Sequence, residues 1–183
     1  CVLNLNDMKA LTFDPISRDR LQSLHPSLQS EVYDVLQKCY KEDWSVRIDW
    51  AYRSHEEQQF LYKFGRTISG RIITNHPAGF SWHEYGLAVD ICYFDRPNKR
   101  SIHYHDCDEL QQLIIKNAVR LFKKCGWDNG DLWLSPEPWH VEKPHNLKLS
   151  YVQYLRKANK LINGKYPILN IDESRIDGEP HLE

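Results

Sequence analysis

Two histidines, an aspartate and a glutamate stand at spacings that suit metal-assisted hydrolysis. His83 and Asp90 lie in Ser81-Trp82-His83-Glu84-Tyr85-Gly86-Leu87-Ala88-Val89-Asp90, and His140 closes Glu137-Pro138-Trp139-His140 far downstream. Two imidazoles and one carboxylate fill three positions of a tetrahedral zinc and leave the fourth for water, as catalytic sites do. Glu137 would then be the general base that works on that water. Each residue also has an ordinary explanation. A histidine among tryptophans is commonly a hydrogen-bonded structural residue, and Asp90 could cap a strand end. Short motifs match freely by accident, so spacing leaves both readings open.

The surrounding pattern predicts the elements that must hold these groups. Ser17 is expected to cap a short helix to about Leu24, and Leu28, Val32, Val35, Leu36 and Cys39 repeat at helical spacing from Ser27 to about Glu42. Val46, Ile48 and Trp50 alternate with polar residues, the period of a strand. Ser54-His55-Glu56-Glu57 reads as a capping box for a helix to about Phe64, which Gly65 stops. Residues 66 to 80 form a long loop beside the proposed site. Leu87 to Tyr93 reads as a strand with Ala88, Asp90 and Cys92 on one face, followed by a polar loop over 95 to 105. A helix from Asp106 to Lys124 is expected to bury Leu110, Leu113, Ile114, Ala118, Leu121 and Phe122, with Gly126 as its stop. Trp127 to Leu134 reads as a hairpin region and Trp139 to Lys143 as a strand; a last helix is expected over 147 to 162, then a polar tail.

On such a strand His140 and Glu142 share a face, so Glu142 is a candidate to orient a ligand imidazole, while Trp139 and Val141 enter the core. Glu137 is three residues from His140 and is off that face unless Pro136 and Pro138 bend the chain. The expected fold is α+β: a small, mainly antiparallel sheet carrying the zinc site, flanked by helices. With 183 residues, one domain is expected. Lys plus Arg number 24 against 25 Asp plus Glu, so no global field favours nucleic acid or an anionic membrane. Neither a membrane-spanning apolar run nor a signal peptide is visible. Cys1, Cys39, Cys92, Cys107 and Cys125 show no Cys-x-x-Cys spacing. Cys1 is either the lipid-bearing residue of a processed lipoprotein or a point where the chain was cut, with the cut expected; Leu182-Glu183 is expected to be a cloning remnant.

Arg53-Ser54, Glu56-Glu57-Gln58, Leu61-Tyr62, Gly65-Arg66-Thr67, Gly70, Ile73-Thr74 and the Ser81-x-His83-x-x-Gly86-x-Ala88-x-Asp90 signature together carry a resemblance. Over about residues 17 to 143 the chain resembles the L-alanyl-D-glutamate endopeptidases, zinc enzymes found among phage endolysins and bacterial wall hydrolases, within the D-alanyl-D-alanine carboxypeptidase superfamily. The resemblance implies His83, Asp90 and His140 as zinc ligands, Glu137 as base, and Arg53 on the oxyanion or on a substrate carboxylate. Ser81, Gln58 and Glu142 would support the site or touch substrate. One departure stands out: the endopeptidase branch has Asp-x-Pro-His-Phe-Glu where this chain has Glu137-Pro138-Trp139-His140-Val141-Glu142, nearer the carboxypeptidase branch.

The implied activity is zinc-dependent hydrolysis of a peptidoglycan stem-peptide amide by a monomer, outside the cytoplasmic membrane in the periplasm or beyond. L-Ala–D-Glu is the expected bond and D-Ala–D-Ala the alternative. A module that only binds wall peptide is a third reading, against which an intact Glu137 argues. A thiol hydrolase would use Cys92 with His83 as base, although small buried cysteine is the ordinary reading. His76, His103 and His105 are read as solvated loop residues, and His55 and His145 receive no role.

Overall fold

The computed structural model describes residues 14–169; the expectations for Cys1 and for Leu182-Glu183 fall outside them. The chain divides into two compact units, with the boundary between Pro144 and His145. In the first unit, α1 (Pro15–Gln22) and α2 (Pro26–Lys41) each begin with a proline, whose missing N–H costs nothing in a first turn. Asp14, not Ser17, caps α1: its side chain accepts from the Ile16 and Ser17 amides, and the Ser17 hydroxyl donates to it as well. Ser17 faces inward instead, where its oxygen accepts the Ile48 amide of β1 (Val46–Trp50). That bond ties α1 to the sheet edge.

The predicted capping box is present at α3 (His55–Tyr62), with Ser54 Oγ accepting the Glu57 amide at 3.1 Å and the Glu57 carboxylate accepting the Ser54 amide at 2.7 Å. A 3-10 turn, Trp82–Tyr85, ends at Gly86 with φ 68°, a left-handed conformation that costs a glycine little and redirects the chain into β2 (Ala88–Asp95). β3 (Arg100–Ile102) folds back on β2 through residues expected to be loop. After α4 (Glu109–Lys124) come β4 (Asp128–Gly130) and β5 (Glu137–Glu142).

The sheet is antiparallel in the order β1-β2-β5-β4, and β3 pairs with β2 outside that path. Ile48 opposes Ile91 and Val89 opposes Val141, and all four are buried. Helices α2 and α4 pack against each other, and α4 also lies against β2 and β5. The α+β architecture expected from the sequence is therefore what forms.

Helix α4 differs in phase from the expectation. Its buried stripe is Ile115, Ala118, Val119 and Phe122, an i, i+3, i+4, i+7 set, whereas Leu110 and Leu113 are exposed. Apolar residues on both sides of the helix allowed either phase, and packing on the sheet selects the one with β-branched Ile115 and Val119 inward, leaving Leu110 and Leu113 outside. Trp139 is likewise only half-buried; it meets Tyr104 and His105 rather than entering the core. In the second unit, α5 spans only Leu149–Lys157. His145 and Asn146 have positive φ, which delays its start, and Asn159 with φ 54° ends it.

Candidate metal centre

β2 is the strand from which the site is built. Asp90 lies directly opposite Trp50 of β1 on one side and His140 of β5 on the other. His83 reaches the same point from the 3-10 turn, which is tied to the segment after β1 by the Arg53 amide donating to the His83 carbonyl. His83 Nε2 is 3.3 Å from His140 Nδ1 and 3.3 Å from Asp90 Oδ2, while His140 Nδ1 is 2.8 Å from Asp90 Oδ1. All three side chains are buried, and one potential ligand atom from each lies within 4.8 Å of the others.

The outer contacts fix which ring nitrogens face inward. His83 Nδ1 donates to the Ala51 carbonyl at 2.7 Å, which leaves Nε2 as the lone-pair nitrogen. His140 uses Nε2 to reach Glu142 Oε2 at 2.9 Å, leaving Nδ1 toward Asp90 and His83. Metal-ligating imidazoles are commonly held by this kind of second contact, so the donor set fits a divalent cation that takes nitrogen and oxygen ligands. Glu142, expected to orient an imidazole, stands where it can.

The cluster is organised around charge. Burial opposes ionisation of His140, but its hydrogen bonds to Asp90 and Glu142 outweigh that and raise its pKa to about 10. Burial likewise opposes the Asp90 carboxylate, yet the two imidazoles hold its pKa well below the ordinary range. For His83 burial prevails and favours the neutral ring.

Glu137 heads β5, and the β4–β5 pairing shows how. Asn129 opposes Val141 but the next residue, Gly130, opposes Glu137, so three residues of β5 are looped out of register. Pro138 lies in that bulge, where its missing N–H breaks no ladder bond. The bulge puts a break in the strand's alternation between Glu137 and His140. Glu137 is half-buried, and burial raises its pKa; His140 and Arg53 pull it back, while Asp90 and Glu142 push it up.

Arg53 lies under the site with Nη2 3.8 Å from Asp90 Oδ2 and its guanidinium over the Trp50 ring at 4.8 Å. Its Nη1 donates to Gln58 Oε1 at 2.8 Å, and its Nε is buried with no acceptor among the described residues. Gln58 also donates to Thr74 and to the His76 carbonyl, so the loop over 66 to 80 is pinned beside the centre. Ser81 caps the 3-10 turn through its carbonyl, which accepts the Glu84 amide.

Several participants were not singled out by sequence. Glu84 is completely buried, accepts the Gly79 and Ser81 amides, and is 2.9 Å from His55 Nδ1. A Ser-x-x-Glu spacing from Ser81 was the available signal. Trp133 lies against the His140 ring with centroids 5.0 Å apart, and no pattern in the hairpin region marked it. His76 is an exposed loop residue as expected, yet it lies close enough to His140 and Glu142 to feel their charge. His103 sits 2.9 Å from Asp49, and His105 meets Trp139 edge-on. Cys92 does not suit nucleophilic chemistry: burial pushes its thiol up to about 12, the opposite of what a thiolate needs.

The family model described as VanY, D-alanyl-D-alanine carboxypeptidase, matches residues 21–142. Among curated proteins, the peptidoglycan L-alanyl-D-glutamate endopeptidase CwlK of Bacillus subtilis (strain 168) is 35% identical over 86 residues, 47% of this chain and 49% of that protein. The chain thus spans about half the length of the curated relative it matches. Among solved structures, a mutant of the vancomycin-resistance D,D-pentapeptidase VanY from a VanB-type cassette, in complex with Zn(II), shares 18% identity with a TM-score of 0.39, covering 68% of this chain and 76% of that one.

Proposed function

The chain belongs to the VanY D-alanyl-D-alanine carboxypeptidase family, and on that premise we propose that it hydrolyses an amide bond of the peptidoglycan stem peptide with zinc as its cofactor. The observation that carries this reading is the convergence of His83, Asp90 and His140 from three separate segments, with both imidazoles oriented from behind. These three residues would hold the ion. When bound, zinc supplies Lewis-acid chemistry, polarising a carbonyl and acidifying water.

The remaining steps belong to side chains. Glu137 takes a proton from the attacking water and returns it to the leaving amine, and its raised pKa brings it closer to the working pH of a general base. Arg53 presents buried N–H groups to an oxygen that gains charge, a contribution commonly worth about 3 kcal/mol per well-placed donor. The loop over 66 to 80, fastened through Gln58, borders the substrate path.

For the bond, L-Ala–D-Glu is favoured by the 35% identity to the endopeptidase CwlK. D-Ala–D-Ala cleavage is the second reading, favoured by the Glu137-Pro138-Trp139-His140-Val141-Glu142 segment. Either substrate lies outside the cytoplasmic membrane, where the protein would act as a monomer. Digesting a defined muropeptide and weighing the products tests both: a tripeptide-or-longer fragment beginning at D-Glu supports the first bond, and release of terminal D-Ala the second. Fragments explained only by cleaved sugars would remove the peptidase reading.

A further inference from the structure

We infer that Gln58 is a positioning residue that sets the orientation of Arg53 and couples it to the loop over 66 to 80, an inference that rests on the role proposed for Arg53. Gln58 lies on α3 and is fully buried, an unusual place for a carboxamide unless every polar atom has a partner. Its Oε1 accepts from Arg53 Nη1 at 2.8 Å. Its Nε2 donates to the His76 carbonyl at 2.6 Å and to Thr74 Oγ1 at 3.2 Å.

Arg53 can only donate and the His76 carbonyl can only accept, so the bridging group must do both. Glutamate lacks the donors for the loop, and lysine lacks the acceptor for the guanidinium. With Nη1 engaged by Gln58, the guanidinium cannot rotate freely about its own axis. The opposite edge is then fixed: Nη2 faces Asp90 at 3.8 Å, and Nε is buried without an acceptor among the described residues. Nε and Nη2 lie side by side on the planar guanidinium, an edge shaped for an oxygen ligand. Gln58 thereby turns a flexible arginine into an oriented pair of donors. Because the same carboxamide grips residues 74 and 76, a displacement of that loop is transmitted to Arg53.

The test is a double-mutant cycle on the zinc-loaded protein with a defined muropeptide. Arg53→Ala, Gln58→Ala and the double variant are compared by kcat, KM and metal content, and Gln58→Glu serves as a near-isosteric second variant. Gln58→Ala should lower kcat by about 10²-fold, the scale of a misplaced reacting group, with zinc content unchanged, and should cost nothing further in the Arg53→Ala background. Gln58→Glu should lower kcat too, since it keeps the shape but loses both loop donors. Independent, multiplying losses, or full kcat in either Gln58 variant, would overturn the inference while Arg53 keeps its role. Unchanged turnover in Arg53→Ala would remove the role of Arg53 and the inference with it.

Discussion

Glu84 offers the sharpest test of how the turn bearing His83 is held. Its buried carboxylate meets three donors: Gly79 N at 2.8 and 2.9 Å, Ser81 N at 3.2 Å and His55 Nδ1 at 2.9 Å. Replacement by Leu leaves the two backbone amides in a dry site without this acceptor. Each orphaned donor costs about 1–3 kcal/mol, so Glu84→Leu should lose about 2–6 kcal/mol. Glu84→Gln is different. With its oxygen at the Oε2 position it still accepts from Gly79 and Ser81, and its NH2 can donate to His55 Nδ1 once that ring changes tautomer, but the shorter Gly79 contact at the Oε1 position is given up. The charge-assisted part and that one contact are lost, about 1–2 kcal/mol. Equilibrium urea unfolding, followed by fluorescence, measures both. A Gln variant as damaged as the Leu variant would refute the tautomer argument, and a Leu variant within about 0.5 kcal/mol of the parent would show that the clamp contributes nothing.

Glu137→Gln should lower kcat by about 10²–10⁴-fold while zinc content by atomic absorption stays at the parent level, since Glu137 is outside the ligand cluster. In the role proposed for it Glu137 works only when deprotonated, and burial raises its pKa, so activity should fall as pH drops through a value above the ordinary 4.5; a pH–kcat/KM profile with its acid limb at or below 4.5 would contradict this. Ile115→Ala should cost about 2–5 kcal/mol in thermal unfolding, whereas exposed Leu113→Ala should stay under about 1 kcal/mol, and the reverse order would place α4 in the other phase.

Local chemistry was readable in the sequence wherever its cause was local. The Ser54/Glu57 box, the helix expected from Ser27 and the strand at Val46–Trp50 each depend on neighbours within one turn or one strand, and they form, although in β1 Arg47 is buried between Val46 and Ile48 instead of alternating outward. The convergence of His83, Asp90 and His140 was readable from residue types and from the family signature rather than from periodicity. What escaped depends on partners distant in sequence. β3 is three residues long and exists only because β2 offers an edge. The phase of α4 is decided by the sheet beneath it, and Glu84 is buried by amides whose direction only the folded loop sets. The placement of Glu137 needed a bulge that prolines hint at but do not specify.

Because Asp90 faces Trp50 across one ladder and His140 across the other, the cluster is written into the alignment of three adjoining strands. Side chains alternate along a strand, so a slip of a single residue would turn the carboxylate to the opposite surface. A mis-zipped sheet therefore cannot assemble the three donors. The same arithmetic makes the middle of β2 intolerant of one-residue insertions.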